Sequence, residues 1–381
     1  MTTTPTSTPA ERPRRWQALG LYLLMALVGL LSMPAHAQQP DPAAHWRSAD
    51  SAHFRVHYRD TQRLQAEQVA QVAERAFERI ASVFDWRPQK RIELSVISES
   101  DLPNGFATPL PGNLIGVFLA PPDGELLDNS PWLDLVLTHE LVHIIHLDKV
   151  RGSPGQLRRI FGRVPFAFPN FVMPMWAIEG LATVQEGAQD GGAPAAAALG
   201  RGRVYGPIFE AWLRAQQARG FHTLESMNAD SRDLPVAKAY LYGGYFFDFL
   251  ARRYGAQALP AFVENYSGNL VPRFQTNPVA LTGKTMDVLW KEFLADLDAQ
   301  VTLRAAALRA EPEVLGPALS PVRFDISSVA SLPDGRTLAV VDDGVGAREL
   351  MQFDRQGRAR KLATLGGIDP RWMSTRKVRS C

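Results

Sequence analysis

Between Thr138 and Asp148 the chain reads THELVHIIHLD, an apolar run interrupted by three histidines and a glutamate. If that run is a buried helix, each polar group it takes out of water without a partner costs roughly 1–3 kcal/mol. Scattered polar residues are therefore a poor explanation, and an ion that satisfies several of them at once is a better one. An α-helix advances about 100° per residue, so His139 and His143, four apart, lie on one face and their imidazoles can reach a common ion. Glu140 sits beside the first histidine and projects towards the same ion without ligating it, the position of a general base acting on a metal-activated water. The pattern is HExxH, and it predicts a metal-bearing helix capped by Asn129 or Ser130 and opened by Pro131.

Two histidines leave a catalytic zinc short of the three protein ligands it usually has. An extension of the motif through a further glycine and histidine is absent, because position 146 is histidine and position 149 lysine. The segment PMWAIEGLA offers Glu179 instead, at the start of a following helix in which Gly180 and Ala182 permit close helix approach. Zn2+ held by His139, His143 and Glu179 is the expected cofactor. His146 shares a face with His143 but is expected to pack, bonded to Asp148 or to backbone. Glu186, two turns past Glu179, is expected to be solvated or to support the site rather than to ligate.

The remainder of the 381 residues frames this pair of helices. Arg12, Arg14 and Arg15 precede an apolar run over residues 18–31, and Ala35 and Ala37 give the small-residue pattern of a signal-peptidase site. Residues 1–37 are expected to be a cleaved leader and the protein to be exported, periplasmic or extracellular; an uncleaved leader would anchor it in the membrane. The chain holds 41 Lys and Arg against 39 Asp and Glu, and removing the leader's three arginines and one glutamate balances them. A neutral chain has no electrostatic footprint for nucleic acid. The single cysteine, Cys381, allows no disulfide within one chain.

HFRVHY, RIELSVI and NLIGVFLA read as strands, the last two separated by DLPNGFATPLPG, whose Pro, Asn and Gly residues read as a loop. A helical period runs over residues 62–84, and from residue 173 to about residue 310 the pattern is mostly helical. The fold class expected is α+β: a metal-binding α/β lobe over residues 45–190, a helical lobe over 191–310, and a β-rich region over 317–381 beyond a Pro-rich connection. Residues 157–176, LRRIFGRVPFAFPNFVMPMW, mix basic and aromatic side chains between the two metal helices. Pro165, Pro169 and Pro174 rule out a regular amphipathic helix there, so a lid or packing role is preferred over contact with a membrane.

HELVH followed by P.W..EGLAT resembles the gluzincin metallopeptidases of the thermolysin-like superfamily. More narrowly it is similar to exported bacterial peptidase-MA-like proteins, in which a Y.YG…F..L…YG segment follows, here YLYGGYFFDFLARRYG from residue 240 to 255. The resemblance spans roughly residues 52–298. It implies a zincin-like α/β lobe and a helical lobe with a cleft between them, a peptide or protein substrate, and zinc-dependent hydrolysis with Glu140 as general base. Such enzymes often use a phenol to stabilise the oxyanion; Tyr240, Tyr242 and Tyr245 are the candidates, and Tyr242 is preferred. They also bind an extended peptide on an edge strand, which NLIGVFLA resembles. One departure is that Thr183 stands where thermolysin-like enzymes have an aspartate orienting a zinc histidine, which puts that support in doubt.

Beyond the connection, ISSVASLPDGRTLAVVDDG and ELMQFDRQGRARKLAT resemble one blade of a TolB-like β-propeller, with DGRT as a hairpin signal. Propellers need several blades around one axis. IDPRW resembles the opening of a second blade that does not continue, which suggests a truncated or frame-shifted form of a longer peptidase–propeller protein with an irregular tail. The rival reading from another class is a catalytically silent peptidase-like scaffold whose propeller bound other proteins. The intact Glu140 speaks against it, since a structural metal does not need that carboxylate.

Overall fold

The alternating segment FRVHYR forms strand β2 (Phe54–Arg59), with Phe54 and Val56 buried on one face. The structure, a computed structural model, describes residues 45–99, 104–120, 132–187, 202–229, 233–310 and 325–365. The expected leader, most of the Pro-rich connection and the tail from residue 366 lie outside the described residues.

Strand β1 (Trp46–Asp50) pairs antiparallel with β2. Helix α1 (Arg63–Phe84) then crosses over to β3 (Ile92–Ile97), which lies parallel to β2. The helix buries Val69, Ala73, Ala76, Phe77, Ile80 and Phe84, a spacing of three and four that makes one apolar stripe facing the sheet. Its end is turned by Asp85, at φ 45° in the left-handed region.

Two expectations are corrected at the other edge of the sheet. The strand order is β1-β2-β3-β5-β4, so β5 (Leu114–Phe118) is an interior strand, parallel to β3 on one side. The edge is β4 (Gly105–Thr108), antiparallel to β5 and formed by GFAT inside the stretch read as a loop. The continuous apolar run of β5 fits a strand with neighbours on both sides better than an edge. The four residues of β4 have no long alternation of their own and take their extended form from pairing with β5.

Helix α2 (Trp132–Asp148) follows, and every residue from Leu135 to Asp148 is buried. Helix α3 (Gly152–Phe161) and two short 3-10 turns, Pro165–Ala167 and Pro169–Val172, lead to α4 (Met175–Glu186). The later helices include α5 (Pro207–Gln217), α6 (Leu224–Asn228), α7 (Lys238–Tyr254), α8 (Ala258–Ser267), α9 (Val279–Thr282) and α10 (Met286–Ala310). Trp176 of α4 meets Trp290 of α10 with ring centroids 4.8 Å apart and Phe246 of α7 at 5.3 Å, which makes an aromatic centre for the helical part. The sheet and these helices share one continuous core from Phe54 to Val301.

Helices α4 and α7 touch backbone to backbone. A β-carbon on Gly180 would lie 2.4 Å from the carbonyl carbon of Gly243, and one on Gly243 would lie 2.1 Å from the carbonyl oxygen of Trp176. Only glycine fits at either position, and this contact sets how deeply α4 sits.

The chain divides into two compact units, residues 1–303 and 304–381. The second contains an antiparallel meander of β6 (Asp325–Ser331), β7 (Thr337–Asp342), β8 (Glu349–Phe353) and β9 (Ala359–Thr364). Its first turn is closed by Asp334, whose carboxylate accepts the backbone N–H of Arg336, with Gly335 at φ 83°. The described residues thus form a mixed α/β structure with two sheets. Among the described residues no helix is long and apolar enough to cross a membrane.

Candidate metal centre

Helical spacing places His139 and His143 one turn apart on α2, and the deep seat of α4 brings Glu179 over them. Nε2 of His139 is 3.1 Å from Nε2 of His143. Oε2 of Glu179 lies 3.2 Å from the first and 3.3 Å from the second. These three side chains form a largely buried cluster that could hold a metal ion.

The other side of the His139 ring is held by Glu186, whose Oε1 is 2.8 Å from Nδ1. The Glu186 side chain is buried and also accepts from the backbone N–H of Arg203 at 3.2 Å and from its Nε at 3.0 Å. Glu186 is therefore not solvated; it meets His139 on the Nδ1 side, away from Glu179. Thr183 does not share this contact, since its hydroxyl donates at 2.8 Å to the carbonyl of Glu179 within its own helix. This carboxylate of Glu186 comes from the end of α4, beyond Thr183.

The charges are mutually dependent. Burial disfavours an ionised Glu186, but the charge of Arg203 and hydrogen bonds from His139 and Arg203 outweigh it and hold its pKa down at about 2. Burial likewise opposes a charge on Arg203, and Glu186 more than restores it. Burial works against protonation of His139, yet its bonds to Glu179 and Glu186 push its pKa up to about 9. Glu179 is held well below the carboxylate range despite burial, by hydrogen bonds from His139 and His143. Glu140 goes the other way: burial raises its pKa, against the pull of the two histidines. Two neighbouring carboxylates with oppositely shifted affinities for a proton are suited to different tasks.

Glu140, His139, His143 and Glu179 line a cleft of about 270 Å³ whose other walls include Phe106 and Ala107 of β4, Trp132, Arg203 and Tyr240. Gly105 belongs to the same wall. A β-carbon there would lie 2.9 Å from Cγ and Oε1 of Glu140 and 2.7 Å from Cγ2 of Val136.

The preferred tyrosine is corrected. Tyr242 is wholly buried away from the cleft; its hydroxyl accepts from the backbone N–H of His222 at 3.3 Å and lies 3.5 Å from Oε1 of Gln216. Tyr240 faces the cleft, with its ring stacked on His139 at 5.9 Å and the guanidinium of Arg203 4.6 Å above it; burial and the neighbouring charge of Glu179 raise its pKa. Tyr245 is buried in the helical core. His146 is also fully buried, but Asp148 is engaged elsewhere, by Trp86 Nε1 at 2.9 Å and Arg163 Nη1 at 2.6 Å. Neither ring nitrogen of His146 has a hydrogen-bond partner among the described residues. Sequence reasoning missed Arg203, which sits in a short non-periodic turn between α4 and α5.

Neither models of known protein families nor curated proteins match the chain.

Proposed function

We propose that this protein is an exported zinc-dependent peptidase of gluzincin type, with a zincin-like α/β lobe and a helical lobe, in which His139, His143 and Glu179 hold Zn2+. The observation that supports this most strongly is the spacing of the three donor atoms, 3.1, 3.2 and 3.3 Å. Tetrahedral zinc with ligand bonds of about 2.0–2.1 Å requires donors roughly 3.3 Å apart. Two imidazoles and a carboxylate are a catalytic zinc set, and all three residues line the cleft, so an ion that they held would stand at its wall.

When bound, the metal supplies Lewis-acid polarisation of a carbonyl and activation of a water near neutral pH. The chain's own groups do the rest. Glu140, kept protonatable by burial, takes a proton from the attacking water at its carboxylate and returns it to the amine nitrogen as the peptide C–N bond breaks. Tyr240 supplies a phenolic donor to the carbonyl oxygen as negative charge grows there. Glu186, itself fixed by Arg203, holds the His139 tautomer that leaves Nε2 free to ligate. Strand β4, with one edge unpaired by β5, offers backbone groups to an extended peptide lying along the cleft. In this reading the second unit's meander is one propeller-like blade.

Metal analysis of the purified chain tests the ligand set. One zinc per chain is expected in the wild type and none in His143→Ala; stoichiometric metal retained by that variant would mean that other residues bind it.

A further inference from the structure

From Lys149 to Ile178 the chain has no acidic residue, while Lys149, Arg151, Arg158, Arg159 and Arg163 fall within these thirty positions. Lys149 is buried against Glu264, Arg151 pairs with Asp85 and Glu264, and Arg158 and Arg163 pair with Asp148, which leaves Arg159 exposed without an ion pair among the described residues. The same segment leaves Ile160, Phe161, Phe166, Phe171, Val172 and Met175 exposed, Ile160 at 72% and Phe166 at 61%. Scattered apolar side chains on a surface need no explanation, but six large ones within sixteen residues do. They are not a disordered fringe. Phe161 and Phe166 meet edge to face at 6.1 Å, and Phe171 does so with the buried Phe168 at 5.8 Å.

The framework beneath is rigid. Arg158 stacks 3.9 Å over Phe168 and donates to the carbonyls of Asp148 and Ala167 at 2.6 and 2.8 Å. Arg163 bonds Asp148, Asn113 and the carbonyl of Pro109. These arginines are used internally; Arg159 and Lys90 make no ion pair among the described residues and are exposed. Both border a recess of about 600 Å³ whose walls include Trp86, Asp148, Arg151, Arg158 and Arg163, with Ile160 and Phe161 lying in the chain between the lining residues Arg159 and Gly162. The prolines do confine regular helix to α3, as its Gly152–Phe161 bounds show. The lid or packing role expected for this segment does not account for side chains that face solvent.

We propose that α3 and the two 3-10 turns after it form a docking surface for an anionic phospholipid membrane, with the exposed aromatic and aliphatic side chains entering the interface and the recess bordered by Lys90 and Arg159 receiving headgroup phosphates. An apolar face beside two exposed cations without an ion pair among the described residues, Lys90 and Arg159, and a recess whose one lining carboxylate, Asp148, is held by Arg158 and Arg163, matches a negatively charged bilayer surface. A protein partner of ordinary mixed charge would not require acids to be absent over thirty residues.

The test places an environment-sensitive fluorophore at position 166 of the full chain, as Phe166→Cys in a Cys381→Ser background, with a control label at Leu64→Cys. This local readout is independent of any binding through residues 1–37. On vesicles of phosphatidylcholine and phosphatidylglycerol in equal parts, the emission at 166 should shift to the blue, the control should not, and raised salt should weaken the response. Lys90→Glu with Arg159→Glu should lower the apparent partition roughly tenfold or more. An unchanged spectrum at 166 on the anionic vesicles would overturn the proposal. So would an equal response on pure phosphatidylcholine that the charge reversals leave intact. A blue shift without vesicles that grows with protein concentration would assign the face to a second copy of the chain instead.

Discussion

Glu186 Oε1 lies 2.8 Å from Nδ1 of His139, while Nε2 of the same ring faces Glu179 at 3.2 Å. The ring is thus fixed from both sides, and the nitrogen that meets Glu186 carries the proton when the other nitrogen is a ligand.

Glu186→Gln should therefore weaken zinc binding about 10- to 100-fold, the usual range for loss of a histidine's orienting partner. Thr183→Ala, which removes only a bond to the Glu179 carbonyl, should leave affinity within a few-fold. Competition against a chelator of known affinity measures both; equal losses would mean that Glu186 does not orient the ligand. Glu179→Ala should lose more metal than either.

Tyr240→Phe should keep the metal and lower kcat about 100-fold, the scale for one oxyanion donor. Tyr242→Phe should leave kcat unchanged and cost about 1 kcal/mol of stability for its buried hydrogen bonds. Steady-state kinetics beside urea unfolding separates the two, and the opposite pattern would return the role to Tyr242.

Gly105→Ala puts a methyl group against Val136 and Glu140 at under 3.0 Å. Either β4 or Glu140 must move. A loss of stability of about 1–3 kcal/mol is expected from the overpacking, with a fall in kcat of roughly tenfold or more because a base displaced even slightly is misaligned. Zinc content should not change. Full activity with full stability would show that the strand does not hold Glu140 in place.

Acid should destabilise the fold in two windows. Burial lowers the His146 pKa from 6.5 to about 3, so below pH 6.5 the unfolded chain binds a proton that the folded one refuses, and stability falls as pH drops towards 3. Glu186, held at about 2 against an ordinary 4.5, contributes stability that is complete above 4.5 and lost as pH falls towards 2. His146→Leu should remove the first slope only, worth about 2–3 kcal/mol between pH 6.5 and 4.5 at about 1.4 kcal/mol per pKa unit. At pH 7.5 it should be no less stable, since it removes two unpartnered buried nitrogens. Urea midpoints across pH check this; an unaltered slope would place the proton uptake elsewhere.

The convergence of His139, His143 and Glu179 was legible because it follows from helical spacing and from a glycine that lets the second helix approach. What depended on neighbours was not. Tyr240 and Tyr242 are two residues apart on α7 and so point to nearly opposite sides; the contact between Gly180 and Gly243 decides which side meets the cleft. Strand β4 has turn residues around it and becomes a strand only by pairing with β5. Arg203 lies in a turn without period, and only the folded chain puts it beside Glu186. The histidine spacing could not show that His146 would be buried with no hydrogen-bond partner among the described residues, or that Asp148 would instead be bonded by Trp86 and Arg163.

The most direct measurement compares metal-loaded wild type and Glu140→Gln on a peptide library, with products read by mass spectrometry and zinc content determined on the same samples. Both proteins should hold one zinc, and the wild type should cleave peptides at a rate that the variant loses by several orders of magnitude, because the base is removed and the ligands are not. Comparable cleavage by both proteins, or an intact library after incubation with fully loaded wild type, would contradict the assignment of this site as a peptidase centre.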